Sequence, residues 1–384
     1  MNKTGRDIRT ELVHAGEPDA VEGAVVLPIF QSATFASQPG ESYDDIRYIR
    51  LNNTPNHRAL HAKLAAVAGG EDALVTASGM AAIAATLMTL LKAGDHFLAQ
   101  DCLYGGTYSL LTEDAPALGL EFDNIRGNAP ETWEELLRPE TRLIYVETMT
   151  NPLLEVTDLE AVVDFARRHG LFSAVDNTFA SPVNFRPLEL GFDLEIHSAT
   201  KYLNGHSDIV AGCIIGATEH IGRIAHKLNH LGATLDPHAC FLLQRGLKTL
   251  ALRVRQQNEN AQRLAEFLEA CDAVSRVNYP GLPGHPQHQR ARRLFAGCGG
   301  VLSFALDGGV EQAEALIARL ELPKSAPSLG GVETLITRPA ATSHAGMTAA
   351  QRRDIGVGDA LIRLAAGIEA AEDLCADFAR ALQL

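Results

Sequence analysis

An α/β fold with a mostly parallel central sheet and a smaller α+β C-terminal domain is predicted for this chain of 384 residues. Three observations predict it. Short apolar segments without polar alternation recur between helical segments, which is typical of parallel strands covered on both faces. The chain is longer than one ordinary domain. The pattern also changes near residue 245, where a long helical stretch leads into a second group of strands.

The first part of the chain divides into an arm and an alternating region. Residues 1–60 contain four prolines and little periodicity, so we expect an N-terminal arm that packs on its own body or on a neighbouring subunit. Residues 61–245 alternate between apolar strands and helices that end at glycines. The expected helices are 61–68, 80–92 and 158–169, and the expected strands are 73–76, 96–99, 143–147, 171–175, 194–197 and 210–215.

Residues 246–384 form the predicted C-terminal domain. Residues 239–270 have the composition of one long helix, which we expect to connect the two domains. A turn rich in proline and glycine follows this helix. The strands expected beyond the turn are 301–306, 334–337 and 361–365, and a last helix is expected over 370–381.

Composition and charge exclude several classes of protein. The net charge is −14 and lysine and arginine do not cluster, which argues against nucleic acid or an anionic membrane as a partner. The most apolar window, residues 80–91, is shorter than the roughly 20 residues that span a bilayer. Residues 1–10 lack the apolar core of a secretory signal, and the six cysteines include no C-x-x-C pair. We therefore expect a cytoplasmic, enzyme-sized protein.

Common nucleotide and metal signatures are missing from the sequence. There is no Walker sequence and no G-x-G-x-x-G after a strand, which argues against nucleotide cofactors. Two histidine pairs are spaced four residues apart, at 57/61 and 226/230. Neither pair carries the glutamate of H-E-x-x-H, and a solvated helix face explains such spacing more simply. We expect no metal.

Two strand ends carry residues that suit a small anionic ligand. The segment Ser78-Gly79-Met80 leaves a strand and begins a helix, where free N–H groups and the helix dipole favour an anion. Asp176 follows another strand, at the edge of a parallel sheet where ligands bind. Taken alone, each has a structural explanation, because Ser78 can cap the helix and Asp176 can cap the following turn.

A third strand end delivers a lysine. Lys201 follows the strand 194–197 and is preceded by Ser198 and Thr200, whose hydroxyls can bind phosphate oxygens. A single lysine is usually a surface residue, so the combination matters more than the residue. Pyridoxal phosphate needs a lysine for its Schiff base, an acid beside its pyridinium nitrogen and an anion site for its phosphate. Lys201, Asp176 and the helix start at Gly79 match these three needs.

A series of short segments carries a resemblance to a known family along nearly the whole chain. The segments are Ser78-Gly79-Met80, Leu103-Tyr104-Gly105-Gly106-Thr107, Glu147-Thr148 with Thr150-Asn151-Pro152, Asp176-Asn177-Thr178, 197–201 with Gly205-His206-Ser207-Asp208, 245–250, Ser328-Leu329-Gly330-Gly331, and Arg363-Leu364 with Gly367-Ile368-Glu369. In these the sequence resembles the Cys/Met-metabolism family of fold-type I enzymes that depend on pyridoxal 5'-phosphate. The resemblance implies an aspartate-aminotransferase-like fold, with the cofactor domain over 61–245.

The resemblance also implies roles for individual residues around the cofactor. Lys201 would be the Schiff-base lysine and general base, and Asp176 would pair with the pyridinium nitrogen. Tyr104 would stack on the ring and is counted with Lys201 among the catalytic residues. The phosphate would be held by Gly79, Met80, Ser198 and Thr200.

Other matching residues point to the substrate and to a neighbouring subunit. Arg363 would bind the α-carboxylate of a small amino-acid substrate, helped by Ser328 and Asn151. Tyr48 and Arg50 match the Tyr-x-Arg of the family, which reaches the phosphate of the neighbouring subunit's cofactor. The resemblance therefore implies a homo-oligomer with shared active sites, usually a dimer of dimers.

The family acts in cysteine and methionine metabolism, and two residues help to choose among its activities. Gly106 stands where methionine γ-lyases typically carry a cysteine, which counts against that activity. Glu333 matches a glutamate of members that act at Cγ and could orient a distal amino group or an incoming cysteine, although a surface carboxylate explains it equally well. We expect cystathionine γ-synthase or γ-lyase chemistry. The alternatives are cystathionine β-lyase and O-acylhomoserine sulfhydrylase.

One segment departs from the family. After Tyr-x-Arg the family usually reads Gly-Asn-Pro-Thr, whereas this chain reads Asn52-Asn53-Thr54-Pro55-Asn56-His57. We expect the extra residue to shift the loop beside the cofactor and the substrate entrance. This loop alone favours a further alternative, a γ-replacement enzyme of secondary metabolism. A last alternative is a catalytically inactive binding or scaffold protein. The joint presence of Lys201, Asp176 and Arg363 argues against it.

Overall fold

The computed structural model describes residues 5–37, 39–40, 42 and 45–383. Its N-terminal arm begins with helix α1 (Ile8–His14), which Asp7 caps by accepting a hydrogen bond from the backbone of Arg9. Leu12 of this helix is fully buried in the main core, whereas Val25 further along the arm is 94% exposed. The arm is therefore attached to the body at one end and leaves apolar side chains uncovered elsewhere.

The central sheet is mostly parallel, as predicted. Its strand order is β1-β7-β6-β5-β4-β2-β3, and every neighbouring pair is parallel except the two that involve β7. The sequence did not suggest β3, because this edge strand is polar. The strands are β1 (Asp72–Thr76), β2 (His96–Gln100), β3 (Glu121–Ile125), β4 (Thr141–Glu147), β5 (Phe172–Asp176), β6 (Leu194–His197) and β7 (Gly212–Gly216).

Helices cover both faces of this sheet, which explains why its central strands are apolar without alternation. Helices α3 and α8 pack on one face, and α2, α5 and α9 pack on the other. The helices of this region are α2 (Pro55–Ala68), α3 (Gly79–Leu90), α4 (Gly105–Ser109), α5 (Leu159–His169), α6 (Ser181–Asn184), α7 (Pro187–Leu190), α8 (Thr218–Leu231) and α9 (Pro237–Leu247).

A second, smaller sheet follows, so the predicted α+β C-terminal part is confirmed. Its order is β10-β11-β12-β9-β8, with only the pair β10 and β11 parallel. The strands are β8 (Val274–Asn278), β9 (Val301–Leu306), β10 (Lys324–Ser325), β11 (Leu335–Thr337) and β12 (Ile362–Ala365). The helices are α10 (Leu250–Glu269), α11 (His288–Leu294), α12 (Gly309–Arg319), α13 (Ala349–Asp354) and α14 (Ala371–Leu382).

The prediction of one continuous helix over 239–270 is wrong. The chain breaks between α9 and α10, at Lys248 and Thr249. Gly246 packs so closely on the backbone of Asn204 that a side chain there would overlap it. The Gly246 carbonyl then accepts bonds from the Thr249 backbone at 3.2 Å and from the Arg253 guanidinium at 2.8 Å. These bonds replace the regular helical pattern with a tighter turn.

Helix α10 joins the two sheets. Leu250 and Val254 near its start belong to the core of the first sheet, and Leu264 and Leu268 near its end belong to the core of the second. The boundary near residue 245 stays a prediction. Over the described ranges, no helix combines the length and apolar character needed to cross a membrane.

Candidate active site

A cavity of about 610 Å³ lies where β4, β5 and β6 end at their carboxyl edges. The first turn of α3 forms one wall, and loops from the second sheet, around residues 328 and 343, form the opposite wall. Ten residues singled out from the sequence line it together, and their roles stay predictions. They are Gly79, Met80, Tyr104, Asn151, Asp176, Ser198, Thr200, Lys201, Ser328 and Arg363.

The start of α3 offers an anion site at one end of this cavity. Ser78 caps the helix, since its hydroxyl accepts a bond from the Ala81 backbone at 3.0 Å. The N–H groups of the first helical turn have no partner inside a helix and point out of its end. A Cβ at Gly79 would lie only 2.9 Å from Cβ of Ser198, so glycine keeps this backbone close to the Ser198 side chain.

The two hydroxyls predicted to bind phosphate differ in their surroundings. The Ser198 backbone donates to the Thr178 hydroxyl at 2.8 Å, which fixes the turn and leaves the Ser198 hydroxyl facing the cavity. The Thr200 hydroxyl already exchanges bonds with the backbone of Ala211, at 2.9 and 3.1 Å. The Thr200 hydroxyl can therefore bind a ligand only in addition to these two bonds with Ala211.

Two carboxylates line the cavity at the ends of β4 and β5. Asp176 accepts a bond from the Thr178 backbone at 2.9 Å. Glu147, which is only 4% exposed, accepts one from the Tyr104 backbone at 2.7 Å. Burial and the neighbouring charge of Asp176 raise the pKa of Glu147 well above its ordinary value. Burial raises the pKa of Asp176 too, and hydrogen bonds from Thr178 oppose that rise.

Lys201 projects into the middle of the cavity. Its Nζ donates to the hydroxyl of Ser328 at 2.8 Å. Burial, together with the positive charge of Arg363, lowers the pKa of Lys201 to about 8. A useful fraction of the amine is therefore neutral near physiological pH, as a nucleophile and base require.

This pKa can be tested directly in the protein without cofactor. Because only the neutral amine reacts, acylation of Lys201 should accelerate as the pH rises and reach half its maximum near pH 8, rather than near the ordinary 10.5. The measurement is the rate of labelling by an amine-selective reagent, followed by peptide mass spectrometry. Surface lysines in the same digest are the internal reference. Labelling of Lys201 that stays slow up to pH 10 would contradict the structure.

Arg363 is a buried cation without a carboxylate partner among the described residues. It is 5% exposed, and its guanidinium donates to the Asn151 side chain at 3.2 Å and to the Ser328 carbonyl at 3.0 Å. Ser328 holds a positive φ of 100°, a strained conformation for a residue other than glycine. An unpaired buried cation that faces a cavity is suited to bind a carboxylate from outside the protein.

Three sequence-predicted residues do not line this cavity. Tyr48 and Arg50 lie on the surface of the arm, where the guanidinium of Arg50 donates to the carbonyl of Asn229 at 2.7 Å. Glu333 accepts a short hydrogen bond from the hydroxyl of Ser207. The single chain therefore does not bring these three side chains to the cofactor residues.

The loop 52–57 does not line the cavity of its own chain. His57 is fully buried at the start of α2, with its ring nitrogens bonded to the Thr54 hydroxyl at 2.7 Å and the Leu235 carbonyl at 2.8 Å. The Asn56 side chain bonds the backbones of Phe30 and Pro28. These polar residues fasten the arm to the body, and they do not line the cavity.

Sequence reasoning missed several residues of the cavity wall. Glu147 occurs in a segment quoted for the resemblance, but no role was derived for it. Ser343 belongs to a loop that approaches Gly105 so closely that a side chain at 105 would overlap it. In the sequence, only the glycine pair at 105–106 indicates that another part of the chain packs closely here.

These residues fit pyridoxal phosphate. The helix N-terminus and Ser198 suit the phosphate, and Asp176 suits the ring nitrogen. Lys201 lines the same cavity and supplies the amine that a Schiff base needs. A family model described as "Cys/Met metabolism PLP-dependent enzyme" matches residues 9–383. The chain belongs to this family.

Individual members of the Cys/Met-metabolism family are similar over their whole length. A cystathionine γ-lyase of Bacillus subtilis (strain 168) is 41% identical over 377 residues, with 98% of this chain and 99% of the relative covered. A cystathionine β-lyase of the same organism is 40% identical over 385 residues, with 100% and 98% covered. The crystal structure of cystathionine γ-lyase from Lactobacillus plantarum complexed with L-serine has a TM-score of 0.94 at 37% identity, with 98% and 99% covered.

These similarities confirm the predicted family, fold and cofactor. The protein is a pyridoxal-phosphate-dependent enzyme of the transsulfuration type, and the alternative of an inactive scaffold is not supported. The γ-lyase relative is 41% identical to this chain and the β-lyase relative is 40% identical. Overall similarity therefore does not choose between chemistry at Cβ and at Cγ.

Proposed function

We propose that this enzyme makes or breaks a bond at Cγ of an amino acid, in the manner of cystathionine γ-synthase or cystathionine γ-lyase. The main support for this proposal is that Lys201 and Arg363 both donate hydrogen bonds to Ser328. Lys201 bonds to its hydroxyl and Arg363 bonds to its carbonyl. A substrate carboxylate on Arg363 would thereby place Cα beside the Lys201 amine. Bound pyridoxal phosphate supplies an acceptor for the electron pair released at Cα.

The residues of the chain then act in sequence. Arg363 and Asn151 bind the α-carboxylate and orient Cα. Lys201, whose pKa of about 8 leaves part of the amine neutral near physiological pH, would remove the Cα proton. Asp176 would pair with the ring nitrogen of the bound cofactor. Loss of a group at Cγ needs a second proton removal at Cβ, which Lys201 could perform only after it has passed the first proton to another acceptor.

Glu333 favours chemistry at Cγ. Its carboxylate is held by Ser207, so the loop that contains Ser328 and the loop that contains Val210 are joined at this point. Both loops border the cavity. Glu333 does not itself line this cavity, so it could bind the distal amino group of cystathionine or of an incoming cysteine only where the substrate extends past the lining residues. Cystathionine β-lyase, O-acylhomoserine sulfhydrylase and a γ-replacement enzyme of secondary metabolism remain alternative activities.

A product assay tests the proposal. Cystathionine is given to the purified holoenzyme, and 2-oxobutyrate and pyruvate are quantified separately. The same enzyme receives O-acylhomoserine with cysteine, and cystathionine formation is measured. Release of 2-oxobutyrate, or formation of cystathionine, supports chemistry at Cγ. Release of pyruvate alone would instead assign a β-lyase, and Lys201→Ala serves as the background control.

We also propose that the enzyme is a homo-oligomer whose active sites are shared between subunits. The exposed positions of Tyr48 and Arg50, outside the cavity of their own chain, support this arrangement. Val210 lines the cavity and is 61% exposed, so an apolar rim is available for a second chain. A cytoplasmic location is proposed with it, since the six cysteines are unpaired.

Hybrid enzymes test the shared site. Arg50→Ala and Lys201→Ala chains with different tags are co-expressed, and the hybrid is purified through both tags. If Arg50 serves the neighbouring cofactor, each hybrid pair contains one site with both residues intact, and activity should return well above that of either parent. A hybrid as inactive as its parents would show that each chain completes its own site.

A further inference from the structure

Glu195 is a buried carboxylate for which the reaction described above has no use. It lies in β6, its side chain is fully buried, and its neighbours in the sheet register are Val175 of β5 and Ile215 of β7. An isolated charge in such an apolar row is strongly unfavourable. Its presence therefore needs partners that compensate it.

Those partners lie at the ends of two different strands. One Glu195 oxygen accepts a bond from Nε2 of His197 at 2.7 Å and from the Asn177 amide at 2.8 Å. Both partners are at most 1% exposed. Asn177 directly follows Asp176 at the end of β5, and His197 ends β6 and leads into the turn that carries Lys201. Glu195 thus joins the two strand ends from which the cofactor residues project.

The connection continues from Asn177 to the backbone of Asp176. The Thr148 hydroxyl lies 3.1 Å from the Asn177 side-chain oxygen and 2.9 Å from the Asp176 carbonyl oxygen, with either as its acceptor. The Asn177 amide also donates to the Phe185 carbonyl at 2.9 Å. Asn177 is therefore held on all sides, and loss of Glu195 would leave a buried donor unpaired.

The same network bears on the carboxyl of Asp176. Burial raises the pKa of Asp176, whereas hydrogen bonds from Thr178 and the neighbouring His197 act in the opposite direction. Glu195 bonds to His197 and so fixes the position of that ring at the end of β6.

We propose that Glu195 is a positioning residue for the cofactor: through Asn177 and His197 it fixes the strand ends that carry Asp176 and Lys201. This inference depends on pyridoxal phosphate binding, which the family establishes, and not on the substrate proposed above. Cofactor affinity tests it whichever amino acid is turned over, so the two proposals can fail separately.

The test compares Glu195→Val and Glu195→Gln with the wild type. Each apoprotein is titrated with pyridoxal phosphate to obtain Kd, and its melting temperature is measured without cofactor. Valine leaves the buried donors of Asn177 and His197 without their acceptor, so the apoprotein should melt below the wild type. Its Kd should rise by about tenfold or more, with a shift in the visible band of the Lys201-bound cofactor. Glutamine keeps an acceptor oxygen and should give a smaller rise.

A double-mutant cycle separates positioning from a general effect on structure. His197→Gln should raise Kd in a similar way, and adding Glu195→Val to it should cost little more, since the two residues act as a unit. Asp158→Asn is the matched control, because Asp158 pairs with Arg290 at 2.6 Å outside the cavity and should leave Kd unchanged. Wild-type Kd in both Glu195 variants, or fully multiplicative effects in the cycle, would overturn the proposal. If the valine variant does not fold, the glutamine variant decides.

Discussion

Lys201→Ala is expected to lower kcat/KM by at least about a thousandfold on the best substrate of the wild type. Alanine removes the amine that we propose bonds covalently to the cofactor and takes the Cα proton. The visible absorbance of the bound cofactor should change at the same time. Steady-state kinetics and an absorbance spectrum of the purified variant measure both effects.

Two controls make this result specific to Lys201. Lys324→Ala removes an exposed lysine of β10 and should behave as the wild type. Small primary amines added to Lys201→Ala should restore part of the activity, because they can replace the missing base. Turnover at the wild-type rate in the alanine variant would refute the assignment of Lys201 and the mechanism built on it.

Arg363→Ala is expected to raise KM by about a hundredfold to a few thousandfold while leaving cofactor affinity nearly unchanged. Removal of one partner of a buried charge pair costs about 3–5 kcal/mol, and each 1.4 kcal/mol is a factor of ten. The lost bond forms already in the substrate complex, so the effect should fall mainly on KM. Kinetics together with a titration of pyridoxal phosphate separate the two quantities.

Graded variants at the same position sharpen this prediction. Arg363→Lys keeps the charge but loses the planar fork, so its KM should lie between those of the wild type and Arg363→Ala. Arg338→Ala removes an arginine that pairs with Glu314 outside the cavity and is the matched control. An unchanged KM in Arg363→Ala would show that the substrate carboxylate binds elsewhere.

Local sequence pattern predicted the elements that position the site with good accuracy. β6 begins and ends where the apolar run predicted, and β5 differs by one residue at each end. These strands are buried on both faces, so their composition alone distinguishes them. The edge strand β3 was missed because it carries Glu121, Asp123 and Asn124 and lacks that composition.

Breaks imposed by distant contacts were not predictable in this way. The residues around Lys248 have good helical composition, and the helix stops there because Gly246 meets the backbone of Asn204. Glu195 is a similar case. In the sequence it is one polar residue in an apolar strand, and its significance depends on Asn177, which belongs to another strand.

The sequence by itself determined the family, the cofactor and several of the strand ends that carry site residues, because strand ends and helix starts are local and their chemistry can be recognised in short segments. Only the tertiary structure decided how these groups meet. Lys201 and Ser328 are 127 residues apart in the chain, and Asn151 and Arg363 are 212 apart, yet each pair is hydrogen-bonded. The lowered pKa of Lys201 and the unpaired charge of Arg363 follow from that burial and proximity, which no local pattern contains.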